Sequence, residues 1–159
     1  VEIEQRLASL GMVLPAPIQL PAGVDLPFPW VRVTPGRAFV SGHGPLLPDG
    51  SLAGPFGKVG ADVTAEQASE SAGLVALAIL ASLKTALGDL DRITAWARAF
   101  GMINTAPGFT ATPAVINGFS DVVLALWGDE RGQHARSAVG VAELPFGIPV
   151  EIEAEVLID

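Results

Sequence analysis

Two periodicities run along this chain. From Pro149 onward apolar and acidic residues alternate strictly: Val150, Ile152, Ala154, Val156 and Ile158 face one way, Glu151, Glu153 and Glu155 the other. That is the period-two pattern of a half-buried strand. Leu144-Pro145-Phe146-Gly147-Ile148-Pro149 reads as the turn ending an earlier strand. His134–Asp159 is thus predicted to be a hairpin with one apolar face and one face carrying Arg136 and carboxylates. Elsewhere the spacing is helical. Ile3, Leu7 and Leu10 mark a short amphipathic helix ending at Gly11. Thr64-Ala65-Glu66-Gln67 is a capping box. It opens a helix to about Leu87, with Ala68, Ala72, Val75, Ile79, Leu83 and Ala86 as its buried stripe and Gly88 as its stop. Thr112 is the expected cap of another helix, with Pro113 at its first position. Ile116, Phe119, Val123, Leu126 and Trp127 form its core side, and Gly128–Gly132 is a return loop.

The remaining strands are shorter signals. Trp30–Val33 and Arg37–Ser41 flank the turn Thr34-Pro35-Gly36. Gly42-His43-Gly44-Pro45 is expected to break that second strand. Residues 92–103 form another, with Ala95, Ala97 and Ala99 toward a helix and Trp96, Arg98 and Phe100 on a face needing a different cover. Arg98 is expected to pair with a glutamate of the last strand. The order of elements predicts an α+β fold, a mixed sheet with two helices packed on one face. One domain spans 1–159, and residues 1–29 form an amino-terminal helix and an extended, proline-rich segment.

Composition narrows the function. Half of the 159 residues are hydrophobic and 16% are charged, so part of the surface is expected to be hidden in an oligomer. Nine cations stand against seventeen acids, giving a net charge of −8. No basic stripe exists for nucleic acid. There is no cysteine, so thiolate chemistry is excluded. His43 and His134, the two histidines, lack metal-ligand spacing, and no metal or cofactor is expected. Gly54–Gly60 is glycine-rich without a phosphate-binding pattern. The longest apolar run, Gly73–Ser82, is too short to span a membrane, and the acidic start of the chain is unlike a signal peptide. The expected location is the cytoplasm.

Candidate chemistry centres on Arg136. Ser137, Ala138 and Gly140 leave room beside its guanidinium, a setting that suits a bidentate carboxylate. A glutamate of the neighbouring strand could move a proton or orient a water. Solvent exposure of the whole polar face is equally compatible with the spacing. His43 reads equally as a hydrogen-bonded loop histidine or a ligand contact. Asn117 and Asp121 lie one turn apart, and Asp121 reads as solvent-facing.

Ala135-Arg136-Ser137, Val141-Ala142-Glu143-Leu144-Pro145 and Val150-Glu151-Ile152-Glu153-Ala154 together resemble the terminal signature of the reactive intermediate deaminase (Rid) family. That family is also catalogued as L-PSP endoribonuclease-like or chorismate-mutase-like. The resemblance extends to Phe39-Val40-Ser41-Gly42 and Val115-Ile116-Asn117-Gly118-Phe119. The long amino terminus and Gly57-Lys58-Val59-Gly60 resemble its chorismate-mutase-like branch. The resemblance implies a homotrimer with pockets between subunits and hydrolytic deamination of small 2-imino or 2-enamino acids. Arg136 would bind the substrate carboxylate with the Ala138 N–H, and Glu151 would activate water. Gly42, His43 and Asn117 would line the pocket, with Trp30 walling it where the family often has tyrosine. The family's cysteine position is Ala138 here. Two other readings fit the same residues: an aminomuconate-type deaminase, and a trimer that binds small carboxylates without turnover. Chorismate mutase activity would need more positive charge than one arginine supplies.

Overall fold

A computed structural model describes residues 1–159. Helix α1 (Glu2–Ser9) is followed by strands β1 (Val31–Thr34) and β2 (Arg37–His43) and helix α2 (Ala65–Leu87). Strand β3 (Ile93–Asn104), helix α3 (Thr112–Gly132), β4 (Ala135–Val141) and β5 (Val150–Ile158) complete the chain. The five strands form one sheet in the order β1-β2-β5-β3-β4. Every pairing is antiparallel except β3 with β4, which is parallel. Helices α2 and α3 pack on one face, so the expected α+β arrangement is the observed one. Together with the sheet they bury a continuous core that includes Ile3 and Leu7 of α1.

Local chemistry accounts for the helices. The Thr64 hydroxyl accepts from the Gln67 N–H at 3.1 Å, and the Gln67 side chain accepts from the Thr64 N–H at 3.0 Å. That reciprocal cap satisfies two of the otherwise orphaned groups at the start of α2. By length and apolar composition α2 could cross a membrane, yet half of that stretch is buried within this fold, as expected of a central core helix. Its stripe ends on Leu87, four residues after Leu83, and the expected Ala86 falls off that line and is exposed. Helix α1 stops at Ser9, which leaves Leu10 half exposed beyond its end. The N–H groups of Glu2 and Ile3 donate to the Asp91 carboxylate at 2.7 and 2.9 Å, docking α1 on the turn before β3. In α3, Thr112 is the first residue and not the cap; its hydroxyl donates to the Ala138 carbonyl at 3.1 Å. The helical hydrogen bonding carries on to Gly132 through Gly128, whose φ of 70° marks a kink where a loop was expected.

Two strand expectations fail for the same reason. Strand β2 is not broken at Gly42 but continues to His43. Between Val40 and His43 it carries one residue more than β5 opposite, a bulge that returns His43 to the face Val40 occupies. A second bulge lies between Trp96 and Arg98. It places Trp96 in the core at 2% exposure, edge-on to Phe119 and Trp127, while Arg98 and Phe100 stay on the open face. Arg98 lies over the Phe100 ring, and the glutamate opposite it, Glu155, pairs with Arg37 at 2.8 Å instead.

The predicted terminal hairpin does not form. Strands β4 and β5 are separated by β3, so β4 is an edge strand and β5 is central. A parallel neighbour demands a long crossover, and α3 provides it.

Candidate functional site

Arg136 stands on the edge strand, with its side chain turned toward α3 and away from the glutamate row. Its Nη1 donates to Asn117 Oδ1 at 3.0 Å and Ser120 Oγ at 3.1 Å, and its Nη2 donates to the Pro113 carbonyl at 3.2 Å. A guanidinium has five N–H donors. Both on Nη1 and one on Nη2 are spent on α3, which leaves the Nε–H and one Nη2–H. Nε and Nη2 are the pair of nitrogens that can meet a carboxylate side-on. Asn117 and Ser120 are three residues apart, so they meet the arginine from one helix face.

Ser120 has a second partner, His134. The His134 Nδ1–H donates to the Gly132 carbonyl at 2.8 Å, so Nε2 carries the lone pair and accepts from the Ser120 hydroxyl at 2.9 Å. Burial lowers the His134 pKa, the Gly132 hydrogen bond opposes this, and the Arg136 charge lowers it further. The neutral ring fixes the serine proton, which turns an oxygen lone pair toward Arg136. Sequence reasoning placed Asn117 near the pocket and missed Ser120 and His134. The available signals were the i, i+3 spacing from Asn117 and a histidine two residues before the arginine. Ala138 shares the face of Arg136, where its carbonyl is taken by Thr112.

Glu151 is on the opposite, open face, half-buried beside Gly42. A Cβ at Gly42 would lie 3.0 Å from the Glu151 Cδ, so a side chain there would push the carboxyl aside. Burial raises the Glu151 pKa, and the charge of Glu153 adds to it. Trp30, just before β1, and His43 lie on the α2 side of the sheet, with ring centroids 5.0 Å apart. The His43 Nδ1–H donates to the Ser41 carbonyl at 2.5 Å, and Nε2 accepts from Ser82 Oγ at 2.8 Å. Both rings line a cavity of about 320 Å³ against α2. No three His, Asp or Glu side chains gather as a metal site requires.

A family model described as "YjgF/chorismate mutase-like, putative endoribonuclease" matches residues 4–148. The chain belongs to this family. It resembles the crystal structure of a protein of unknown function from Agrobacterium tumefaciens, at 38% identity and a TM-score of 0.87, covering 99% of this chain and 92% of that one. A protein from Shewanella oneidensis MR-1, carrying the same endoribonuclease label, is 27% identical with a TM-score of 0.87, over 99% and 100% of the two chains. The protein TCP17 of Trypanosoma cruzi is 43% identical over 98 residues; the match spans 62% of this chain and 61% of that relative's length.

In this YjgF-family chain, the expected partners Arg136 and Glu151 do not meet. Through the pairings, Arg136 lies level with Ala99 and Ala154, and Glu151 level with Met102 and Val139. The two are separated by two strand spacings sideways and three residues lengthwise, roughly 14 Å, and point from opposite faces. His43 is farther from Arg136 still, three strands across the sheet. The family signature therefore resolves into three places in one protomer: the Arg136 fork, the Glu151–Gly42 pair and the Trp30–His43 cavity.

Proposed function

We propose that the protein deaminates small reactive 2-imino or 2-enamino acids with water, at sites shared between copies of the chain. The observation that carries this reading is the Arg136 guanidinium, anchored to α3 by three hydrogen bonds, with donors left on Nε and Nη2 and its place on an edge strand. Such a pair of donors suits the carboxylate of a small 2-imino acid, and the Ala138 N–H, two residues along β4, would add a third. Water adds to the C=N carbon and the carbinolamine collapses, so that imine plus water gives a 2-oxo acid plus ammonia. An enamine first tautomerises to the imine. Glu151 takes the proton of the attacking water and returns it to the leaving nitrogen. Its raised pKa suits that exchange. Because Arg136 and Glu151 are remote within a chain, the Glu151 that serves one Arg136 comes from a second copy. A homotrimer with its open sheet faces turned inward would allow such sharing.

The test is ammonia release from freshly generated 2-aminoacrylate or 2-iminobutyrate, with and without protein. Arg136→Ala and Glu151→Gln should each abolish the acceleration. Mixed oligomers of the two variants should regain part of it, because some interfaces pair an intact Arg136 with an intact Glu151. No regain would place both residues' roles within one chain or outside the reaction. Arg136-dependent binding of pyruvate without any turnover would leave a carboxylate-binding trimer in place of an enzyme.

A further inference from the structure

We propose that the cavity between the proline-rich segment, Trp30 and the last turns of α2 binds a neutral, flat, ring-bearing molecule carrying one N–H or O–H donor. This inference stands on the cavity's own lining and takes no support from the deaminase reading. Its volume, about 320 Å³, falls at the lower end of small-molecule sites, where one or two fused rings fit. Small side chains make the room: Ala78, Ala81, Ser82 and Ala86 on α2 face prolines of the 15–29 segment. Trp30, tilted against His43, supplies an aromatic wall.

The polarity of the lining selects the ligand. No Asp, Glu, Lys or Arg lines the cavity, so a charged ligand would lose its hydration with no counter-ion. Both lining hydroxyls have committed their hydrogens. Ser82 donates to His43 Nε2, which must accept because Nδ1–H is held by the Ser41 carbonyl. Thr85 donates to the Ala81 carbonyl at 3.0 Å. Each hydroxyl can offer a ligand only oxygen lone pairs, so a ligand that meets them brings a donor; the Trp30 indole N–H is the side-chain donor of the lining. Pro15, Pro17 and Pro29 add wall without adding an N–H.

Indole is the probe, titrated into the assembled ¹⁵N-labelled protein while the Trp30 indole N–H signal is followed, assigned with Trp30→Phe. A saturable shift with Kd at or below about 1 mM is expected. Benzofuran has the same outline without the donor and should bind about 3- to 10-fold more weakly. Indole-3-acetate should not bind at this signal. Ala86→Leu changes an exposed helix position that borders the cavity, and it should abolish the shift with helical content unchanged. The proposal is overturned if the Trp30 signal does not saturate, as it would not if a second copy filled the cavity. Equal affinity for benzofuran, preference for the charged analogue, or undiminished binding in Ala86→Leu would overturn it too.

Discussion

Helices α2 and α3 touch backbone to backbone at Gly118, and that contact sets a sharp test. A Cβ added there would lie 2.0 Å from the Ser69 carbonyl oxygen and 2.8 Å from its carbon. The obstacle is main chain in the middle of a helix, so no rotamer change relieves it; α3 must move by more than 1 Å. Overpacking of this kind costs about 3 kcal/mol, the upper end of its usual range. Replacing a mid-helix glycine by alanine returns about 1 kcal/mol. Gly118→Ala should therefore lose about 2 kcal/mol, which for a chain of this length lowers Tm by about 4–8 °C. Gly73→Ala is the control across the same interface. Its Cβ would meet the Gly118 carbonyl oxygen at 3.5 Å, an ordinary contact, so propensity alone should raise stability by up to about 1 kcal/mol. Urea unfolding of both variants at one protomer concentration measures the difference. Asn117 and Ser120 flank Gly118 and hold Arg136, so Gly118→Ala should also weaken carboxylate binding, and Gly73→Ala should not. A Gly118→Ala protein as stable as Gly73→Ala would refute the backbone contact and the coupling built on it.

Three other outcomes follow from the same geometry. Arg136→Ala should cost about 1.5–3 kcal/mol of pyruvate affinity by calorimetry, and Arg136→Lys should recover only part, since an ammonium lacks the fork. Glu151 holds its proton more tightly when folded, so the folded chain binds more protons and stability falls as pH rises through the carboxylate range. Glu151→Gln should raise the denaturation midpoint at neutral pH and leave it unchanged below about pH 4, whereas Glu155→Gln, which only removes the charge from the pairing with the exposed Arg37, should change turnover little. Both histidines have lowered pKa values, chiefly from burial, so the unfolded chain takes up protons first. Their stabilising contribution is complete above about pH 6.5 and is lost as pH falls below it; the drop in midpoint between about pH 8 and 5.5 should shrink in His43→Gln.

Local patterns made most elements legible. The Thr64/Gln67 box, the stop at Gly88 and the alternation after Pro149 each signal structure within a few residues, and each matches an observed boundary. What escaped is non-local or depends on one inserted residue. Alternation assigned Trp96 to the face of Arg98, but the intervening bulge reverses the parity of everything beyond it. Sequential order suggested that β4 pairs with β5, and nothing in either strand records that β3 lies between them. That single misplacement put Arg136 among the glutamates. The Rid-type signature still pointed to Arg136, Asn117, Gly42 and Glu151, and the structure brings them together as two pairs, Arg136 with Asn117 and Glu151 with Gly42. Ser120 and His134 went unseen because the i, i+3 spacing from Asn117 does not say that this helix face meets Arg136.

Strand β4 ends the sheet with seven residues, Ala135 to Val141, and a single charge. It carries no lysine or proline on its outer rim, and Val139 is 37% exposed. Proteins normally guard such rims against unwanted pairing. The rim of a single chain is thus open to pairing with another strand, and solubility depends on what meets β4 first. Slow, dilute expression keeps such rims apart, and a burst of synthesis favours stacking of unguarded strands into aggregates. A lysine in place of Val139 would slow that stacking, and if β4 lies within an assembly interface it would weaken the proper contact as well. The same rim would then govern both yield and activity.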